Sequence, residues 1–513
     1  MNPIRLFSGF LTVGFWTLAS RVLGFVREAM ILAYIGPGPQ MDAFVAAFRL
    51  PNMFRRFFAE GAFNAAFVPQ FSKRFEAGED AQGFAQEAFN GLAFAVLTLT
   101  AIGMIFMPAF VWATASGFAE DQRFDLTVSF GHIVFPYILF MSLGALFSGV
   151  LNATGRFAVA AAAPVLLNIF VVLAMVTGAA MGGEVVRWLI WAVPVAGVAQ
   201  LALVWFAAHR AGIRIRPGRP RWSPAMKHLV VVALPAALSS GVMQINLLVG
   251  QQVASYTEKA ASWLFAADRL YQLPLGVVGI AVGIVLLPDL SRRLRDDDDA
   301  GARNAFSRAG EISLALTIPS AVALLVIPLP LVSVLFERGE LTPDDTAAIA
   351  LATAIYALGL PAFVLQKVLQ PLYFAREDTR SPFHFALWAM LINAAVAIGL
   401  HPWLGWTAPA LATTAAGWAM VWLLARGARP MGDVARFDAR FRRRIWRIIV
   451  AAMAMGAVLW GVNLLLGPLI TAPGWRYLAL LILVGAGMLS YALIGQLLGA
   501  FALREFRASM RRG

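Results

Sequence analysis

The 513-residue chain is 60% apolar, 12% aromatic and only 13% charged, with a formal net charge of +13 and no cysteine. An average soluble protein carries roughly twice that charged fraction. A water-soluble domain of this size has no way to hide so much apolar surface, so a soluble enzyme is excluded. Without cysteine there is no disulfide framework and no thiolate metal site. The positive excess marks the cytoplasmic loops of a polytopic membrane protein rather than a nucleic-acid partner.

A hydrocarbon core about 30 Å thick needs roughly 20 apolar helical residues to cross it. Two segments of that length that carry charge come first, 9–35 and 41–71. Stretches free of Asp, Glu, Lys and Arg follow at 88–119, 126–155, 157–183, 188–209, 228–257, 270–288, 312–336, 346–366, 381–425, 448–475 and 477–503. The stretch 381–425 is too long for one crossing and is broken by the turn-like cluster His401-Pro402-Trp403-Leu404-Gly405. The expected architecture is therefore an all-α polytopic membrane protein of fourteen transmembrane helices. With the N-terminus inside, the cytoplasmic segments hold 29 Lys and Arg and the outer loops five: Arg123, Arg187, Lys259, Arg338 and Arg476. That split puts both termini in the cytoplasm. The first apolar run has no small-residue cleavage site and continues into Arg21 and Arg27, so no cleavable signal peptide is expected. The pattern fits a bacterial inner membrane.

The second span reads Leu50-Pro51 and then Val68-Pro69-Gln70-Phe71-Ser72-Lys73-Arg74-Phe75; the eighth reads Leu273-Pro274 and then Leu287-Pro288-Asp289-Leu290-Ser291-Arg292-Arg293-Leu294. A fainter echo links Phe135-Pro136 to Leu360-Pro361. An offset of six spans is even, so the copies run parallel and imply two six-helix lobes related by an axis along the membrane normal. The expected division is 1–222, 223–427 and a C-terminal pair of spans with its basic linker and tail, 428–513.

Seven bases fall inside spans: Arg21, Arg27, Arg49, Arg55, Arg56, Arg269 and Lys367, against the acids Glu28, Asp42, Glu60 and Asp268. Each centrally placed base costs roughly 2.5–3.5 kcal/mol if it faces lipid. Five in the first two spans must therefore line water, pair with acids or meet an anionic ligand. Asp42, Arg49 and Arg56 recur at i+7, with Glu60 four residues on, and so share one helix face. Part of the set is expected to neutralise itself, Asp42 with Arg49 for example. The alternative is that Arg49 and Arg56 snorkel to an interface, helped by a kink at Pro51. A water-filled cationic cavity accounts better for the surplus charge, and planar guanidinium groups suit a phosphate or pyrophosphate ligand.

The block Ser20-Arg21-Val22-Leu23-Gly24-Phe25-Val26-Arg27-Glu28, then Met41-Asp42-Ala43-Phe44, then Leu50-Pro51-Asn52-Met53-Phe54-Arg55-Arg56 through Glu60 to Pro69, closely resembles the MurJ/MviN family. Ala267-Asp268-Arg269-Leu270 and Lys367-Val368-Leu369-Gln370-Pro371 extend the likeness. These are lipid II flippases of peptidoglycan synthesis, within the multidrug/oligosaccharidyl-lipid/polysaccharide exporter superfamily. The resemblance implies alternating access around a cationic cavity, with lipid II and membrane lipids as partners and cell-wall synthesis proteins as candidates beside them. It also implies that Arg21, Arg27, Asp42, Arg55 and Arg269 serve the headgroup, and Glu60 and Lys367 fall on the family pattern too. A glutamate frequent three residues after the eighth-span arginine is Gln272 here, and 228–257 and 381–402 lack the acids of a sodium site, leaving Asn246 and Asn393.

The rivals are a flippase for another polyprenyl-pyrophosphate oligosaccharide and a cation-coupled drug exporter; the latter wants intramembrane acids, whereas here bases outnumber them. No cofactor motif, HExxH pair or GxxxxGK[ST] loop is present, so neither metal hydrolysis nor ATP chemistry is expected of this chain. Asp296–Asp299 beside Arg292, Arg293 and Arg295 reads as a solvated loop. The basic loops 208–228 and 425–447 are expected to serve topology and anionic-lipid contact, with a docked soluble partner as the alternative.

Overall fold

The computed structural model describes residues 3–55, 62–472 and 474–501, and all the regular elements among them are helical. A bilayer offers no water to backbone N–H and C=O groups, so an apolar chain must satisfy them internally, and helices do so within one segment. The chain divides into two compact units, Met1–Ser262 with Arg338–Glu340, and Trp263–Glu337 with Leu341–Gly513.

The first unit contains α1 (Pro3–Tyr34), α2 (Pro39–Arg55), α3 (Ala62–Glu76), α4 (Ala81–Ile105), α5 (Met107–Thr114), α6 (Gln122–Val134), α7 (Tyr137–Ala153), α8 (Phe157–Ala180), α9 (Val185–Arg210) and α10 (Pro224–Ala254). Here α1 lies on α8, α2 on α6, and α10 on α3, α4 and α5. Lipid is as apolar as leucine, so helix association rests on close packing at small residues and on buried polar bonds. Gly103 on α4 illustrates the first, since a Cβ there would fall 2.1 Å from the Phe135 ring. Gln200 on α9 illustrates the second. It accepts from the Tyr137 hydroxyl of α7 at 3.2 Å and donates to the Ala163 carbonyl of α8 at 3.0 Å.

The second unit contains α11 (Ala260–Arg295, whose first turn belongs to the first unit), α12 (Asp299–Val326), α13 (Pro328–Phe336), α14 (Pro343–Phe374), α15 (Arg380–Leu404), α16 (Ala408–Gly427), α17 (Ala439–Thr471) and α18 (Arg476–Leu497). Small residues again set the approach: a Cβ on Gly456 of α17 would meet Val322 of α12 at 2.7 Å, and one on Gly487 of α18 would meet Leu459 of α17 at 2.8 Å.

Proline decides where several spans break, because it lacks the N–H and its ring clashes with the carbonyl one turn back. Pro108 separates α4 from α5, Pro136 separates α6 from α7, and Pro328 separates α12 from α13. The stretches 88–119, 126–155 and 312–336, read from sequence as single spans, each contain such a break. The stretch 381–425 does divide where its turn-like cluster lies, at Gly405, whose φ of +54° suits a residue without a Cβ. Among the described residues nine helical stretches are long and apolar enough to cross a membrane. α1, α10 and α11, at 32, 31 and 36 residues, also exceed the length a crossing requires.

A charge network fixes the start of α17 to α12. Buried Glu311 accepts from Arg444 at 2.5 Å and pairs with Arg440 at 3.5 Å and with Arg308. Arg308 also binds Asp438 at 2.5 Å, and Asp438 caps α17 by accepting from the Phe441 N–H at 2.6 Å. Burial works to raise the Asp438 carboxyl, but the Phe441 N–H and the Arg308 guanidinium outweigh it and hold it below the ordinary aspartate value. A depressed native pKa gives stability that is fully present above the unfolded value of about 3.9 and lost as pH falls through the native one. Acidifying the purified protein from pH 6 to pH 3 is expected to lower its thermal-unfolding midpoint. Asp438→Asn, less stable at pH 6, is expected to lose less over that interval.

Candidate functional site

Among the described residues, the charged groups that the sequence places within its expected spans meet several kinds of environment. On α1, Arg21 is exposed, whereas Arg27 is largely covered and Glu28 is 4% exposed. Arg27 pairs with Glu28 and donates from Nη1 to the Asn168 side-chain oxygen of α8 at 2.9 Å. The other end of that amide donates to the Ser20 carbonyl at 3.0 Å, so Asn168 staples α1 to α8 while orienting the guanidinium. Gly24 permits this: a Cβ there would lie 3.7 Å from the Asn168 nitrogen.

Asp42, three residues into α2, has no exposed surface and is saturated by donors. Its Oδ1 accepts from the Ser262 N–H at 3.0 Å and the Ser262 hydroxyl at 2.5 Å. Its Oδ2 accepts from the Lys259 N–H at 2.8 Å and from Arg123 Nη1 at 3.3 Å. The carboxylate thus takes up N–H groups that the start of α11 leaves without helical partners, and its charge suits the positive end of that helix. Lys259 pays for this with a left-handed backbone, φ +67°, unfavourable by about 1–2 kcal/mol outside glycine. Arg123 is itself 4% exposed, lies 4.4 Å over the Phe118 ring and grips Asp121 through Nε and Nη2. Burial works to raise the Asp121 carboxyl, but the side-chain and backbone hydrogen bonds from Arg123 leave it below the usual range. The partner of Asp42 is therefore Arg123, and the Asp42–Arg49 pairing expected from the i+7 stripe is not formed. Arg49 donates instead to the Leu247 carbonyl of α10 at 3.3 Å. The reason is tertiary: the first turn of α2 is enclosed by α6 and the 255–262 segment.

Arg55 ends α2 half-buried; Arg56 and Glu60 lie outside the described residues. In the second unit Arg269 stacks over Phe265 at 4.5 Å, and Asp268 accepts from Gln272. Beside them Tyr271 is buried against Tyr356, with ring centroids 5.0 Å apart. Lys367 is exposed on α14, and its neighbour Gln366 donates to the Gly417 carbonyl at 2.9 Å. Sequence reasoning missed Asn168, Arg123 and Ser262. Asn168 is the lone carboxamide in an otherwise apolar span, which is the signal that would have found it.

A family profile described as lipid II flippase MurJ matches residues 31–485. The chain belongs to the MurJ family. A probable lipid II flippase MurJ of Rhizobium meliloti (strain 1021) is 46% identical over 522 residues, covering 99% of this chain and 97% of that one. A probable lipid II flippase MurJ of Vibrio cholerae serotype O1 is 32% identical, covering 98% of each. Among solved structures, a lipid II flippase MurJ in an inward closed conformation superposes with a TM-score of 0.79 at 24% identity, over 95% of this chain and 98% of that one. An inward-facing multidrug transporter of the MATE family superposes with a TM-score of 0.70 at 14% identity, over 82% and 96%. At these identities the structural matches speak for the fold alone: an all-α, multi-pass membrane fold, as the composition requires. Membership of the MurJ family makes the chain a transporter rather than an enzyme.

Asp42→Ala removes the buried acceptor shared by Ser262, the Lys259 N–H and Arg123 Nη1, and leaves Arg123 with Asp121 alone as its acid partner. It is expected to destabilise the purified protein by about 3–5 kcal/mol, the usual cost of removing one partner of a buried pair. Asp42→Asn, which keeps an acceptor for Ser262, is expected to cost less in the same thermal-unfolding assay.

Proposed function

We infer that the chain flips lipid II from the cytoplasmic to the periplasmic leaflet of the bacterial inner membrane by alternating access. The observation that carries this reading is family membership along nearly the whole chain, and the arginines that the sequence sets within its expected spans agree with it. The headgroup pyrophosphate is bound in a hydrated cationic cavity by Arg21, Arg27, Arg55 and Arg269, with Lys367 in a lesser role. Two parallel oxygens of a phosphate match the planar fork of arginine, and a low local dielectric strengthens the contact. Asp42, fully engaged by Ser262, Lys259 and Arg123, ties the start of α2 to the 259–262 segment rather than meeting the headgroup.

Fourteen spans form two parallel six-helix repeats, 1–222 and 223–427, followed by an appended pair, 428–513. The matched breaks at Pro108 and Pro328, one in the third span and one in the ninth, support the six-span offset independently of the motifs that first suggested it. α10, the first helix of the second repeat, packs on α3, α4 and α5 of the first. Substrate binding cancels repulsion among the arginines and lets the repeats rock outward. The inside-negative potential then favours return of the empty, positively charged cavity, by about 2.3 kcal/mol per charge per 100 mV.

The test is complementation in cells depleted of their own flippase, with membrane levels of each variant matched by immunoblot. Arg27→Ala, Arg55→Ala and Arg269→Ala are each expected to cut colony formation at least tenfold. Full rescue by every alanine variant, Arg21→Ala included, overturns the assignment of the cavity.

A further inference from the structure

The segment between α9 and α10 is an ordered, extended strap rather than a loose loop. Along it Ile213 and Ile215 are buried while Arg214 and Arg216 are exposed, the alternation of a strand lying on a surface. The surface is α4. Gln82 donates to the Arg214 carbonyl at 3.3 Å; Gln86 accepts from the Arg216 N–H at 2.8 Å and donates to the Arg216 carbonyl; Asn90 accepts from the Gly218 N–H at 3.0 Å. Glu87 then accepts from the Ser223 hydroxyl at 2.5 Å, where Ser223 caps α10. The carboxamides of α4 thus stand in for a neighbouring strand, and none of these bonds uses a guanidinium.

The three pins at 82, 86 and 90 cover two helical turns, about 12 Å along α4, and the charge-free part of that helix begins at residue 88. The strap therefore descends from the aqueous end of α4 to the edge of the hydrocarbon. Arg219, Arg221 and Trp222 follow the deepest pin, and Trp222 is 71% exposed. Tryptophan favours headgroup depth. Among the described residues Arg214, Arg216, Arg219 and Arg221 are exposed and form no ion pair.

We propose that this arginine strap is a binding site for anionic phospholipid headgroups of the cytoplasmic leaflet, with Trp222 seated at the interface. A pre-ordered backbone lowers the entropic cost of holding four cations in a row, and each basic residue near an anionic surface adds to the attraction. A lipid surface suits the descending geometry better than a soluble acidic partner, because the cations and the tryptophan approach the hydrocarbon together. The proposal is independent of the transport reading.

The chain has no cysteine, so Trp222→Cys carries a single environment-sensitive fluorophore. The labelled protein is placed in nanodiscs of phosphatidylcholine with increasing phosphatidylglycerol. Emission is expected to shift to the blue as phosphatidylglycerol rises, and the shift is expected to reverse in 1 M salt, where the Debye length is about 3 Å. Converting all four arginines to Gln is expected to raise the phosphatidylglycerol fraction for the half-maximal shift at least threefold, whereas converting all four to Lys retains most of the response. Identical emission at every lipid composition overturns the proposal, and so does a Gln variant that titrates like its parent. A shift produced in pure phosphatidylcholine by an added polyglutamate peptide also overturns it, in favour of a soluble acidic partner.

Discussion

The constraint on which everything else depends is the cost of a charge out of water. A base facing lipid at the centre of a span costs roughly 2.5–3.5 kcal/mol, and the sequence places seven within its expected spans. The structure meets that cost in different ways. Arg27 is held by an acid and an amide, Arg269 lies on an aromatic face, and Arg49 reaches a backbone carbonyl. These solutions differ in what they leave over. The carboxylate of Asp42 is used up by four donors, whereas Arg21 and Lys367 remain exposed. A transporter of anions needs both kinds: some charges to hold the protein together and others still able to meet a ligand.

The same economy governs the polar groups. Gln200, Asn168 and Tyr491 each donate to a backbone carbonyl of another helix, Tyr491 reaching that of Ala315 at 2.7 Å. In hydrocarbon such bonds add specificity where apolar packing alone is indifferent to rotation and register. Outside the bilayer the logic reverses. Charge there is cheap, so arginines gather in networks such as that around Glu311, or stand in exposed rows such as the strap on α4.

What the sequence made legible was whatever is local. Charge-free runs marked most of the spans, and the cluster at 401–405 marked a division that Gly405 carries out. The intramembrane bases were visible because composition alone makes them expensive. Tertiary partners were not visible. Helical spacing reports neighbours three, four or seven residues away, so it offered Arg49 to Asp42, whereas the carboxylate is taken by Arg123 and Ser262, far along the chain. Asn168 acquires its role only through the packing of α8 on α1, which local spacing does not report. The breaks at Pro108, Pro136 and Pro328 were passed over because apolar length, not backbone continuity, defined a span.

The central claim is that the guanidinium groups of Arg21, Arg27, Arg55 and Arg269 carry a diphosphate headgroup across the membrane, and its most direct measurement is translocation of fluorescent lipid II in proteoliposomes reconstituted with this protein alone. The account expects headgroup label to become protected from an external quencher at a rate well above that of protein-free vesicles, and that rate to collapse in Arg27→Ala and Arg269→Ala. A parent protein no faster than empty vesicles, or alanine variants as fast as the parent, would contradict it.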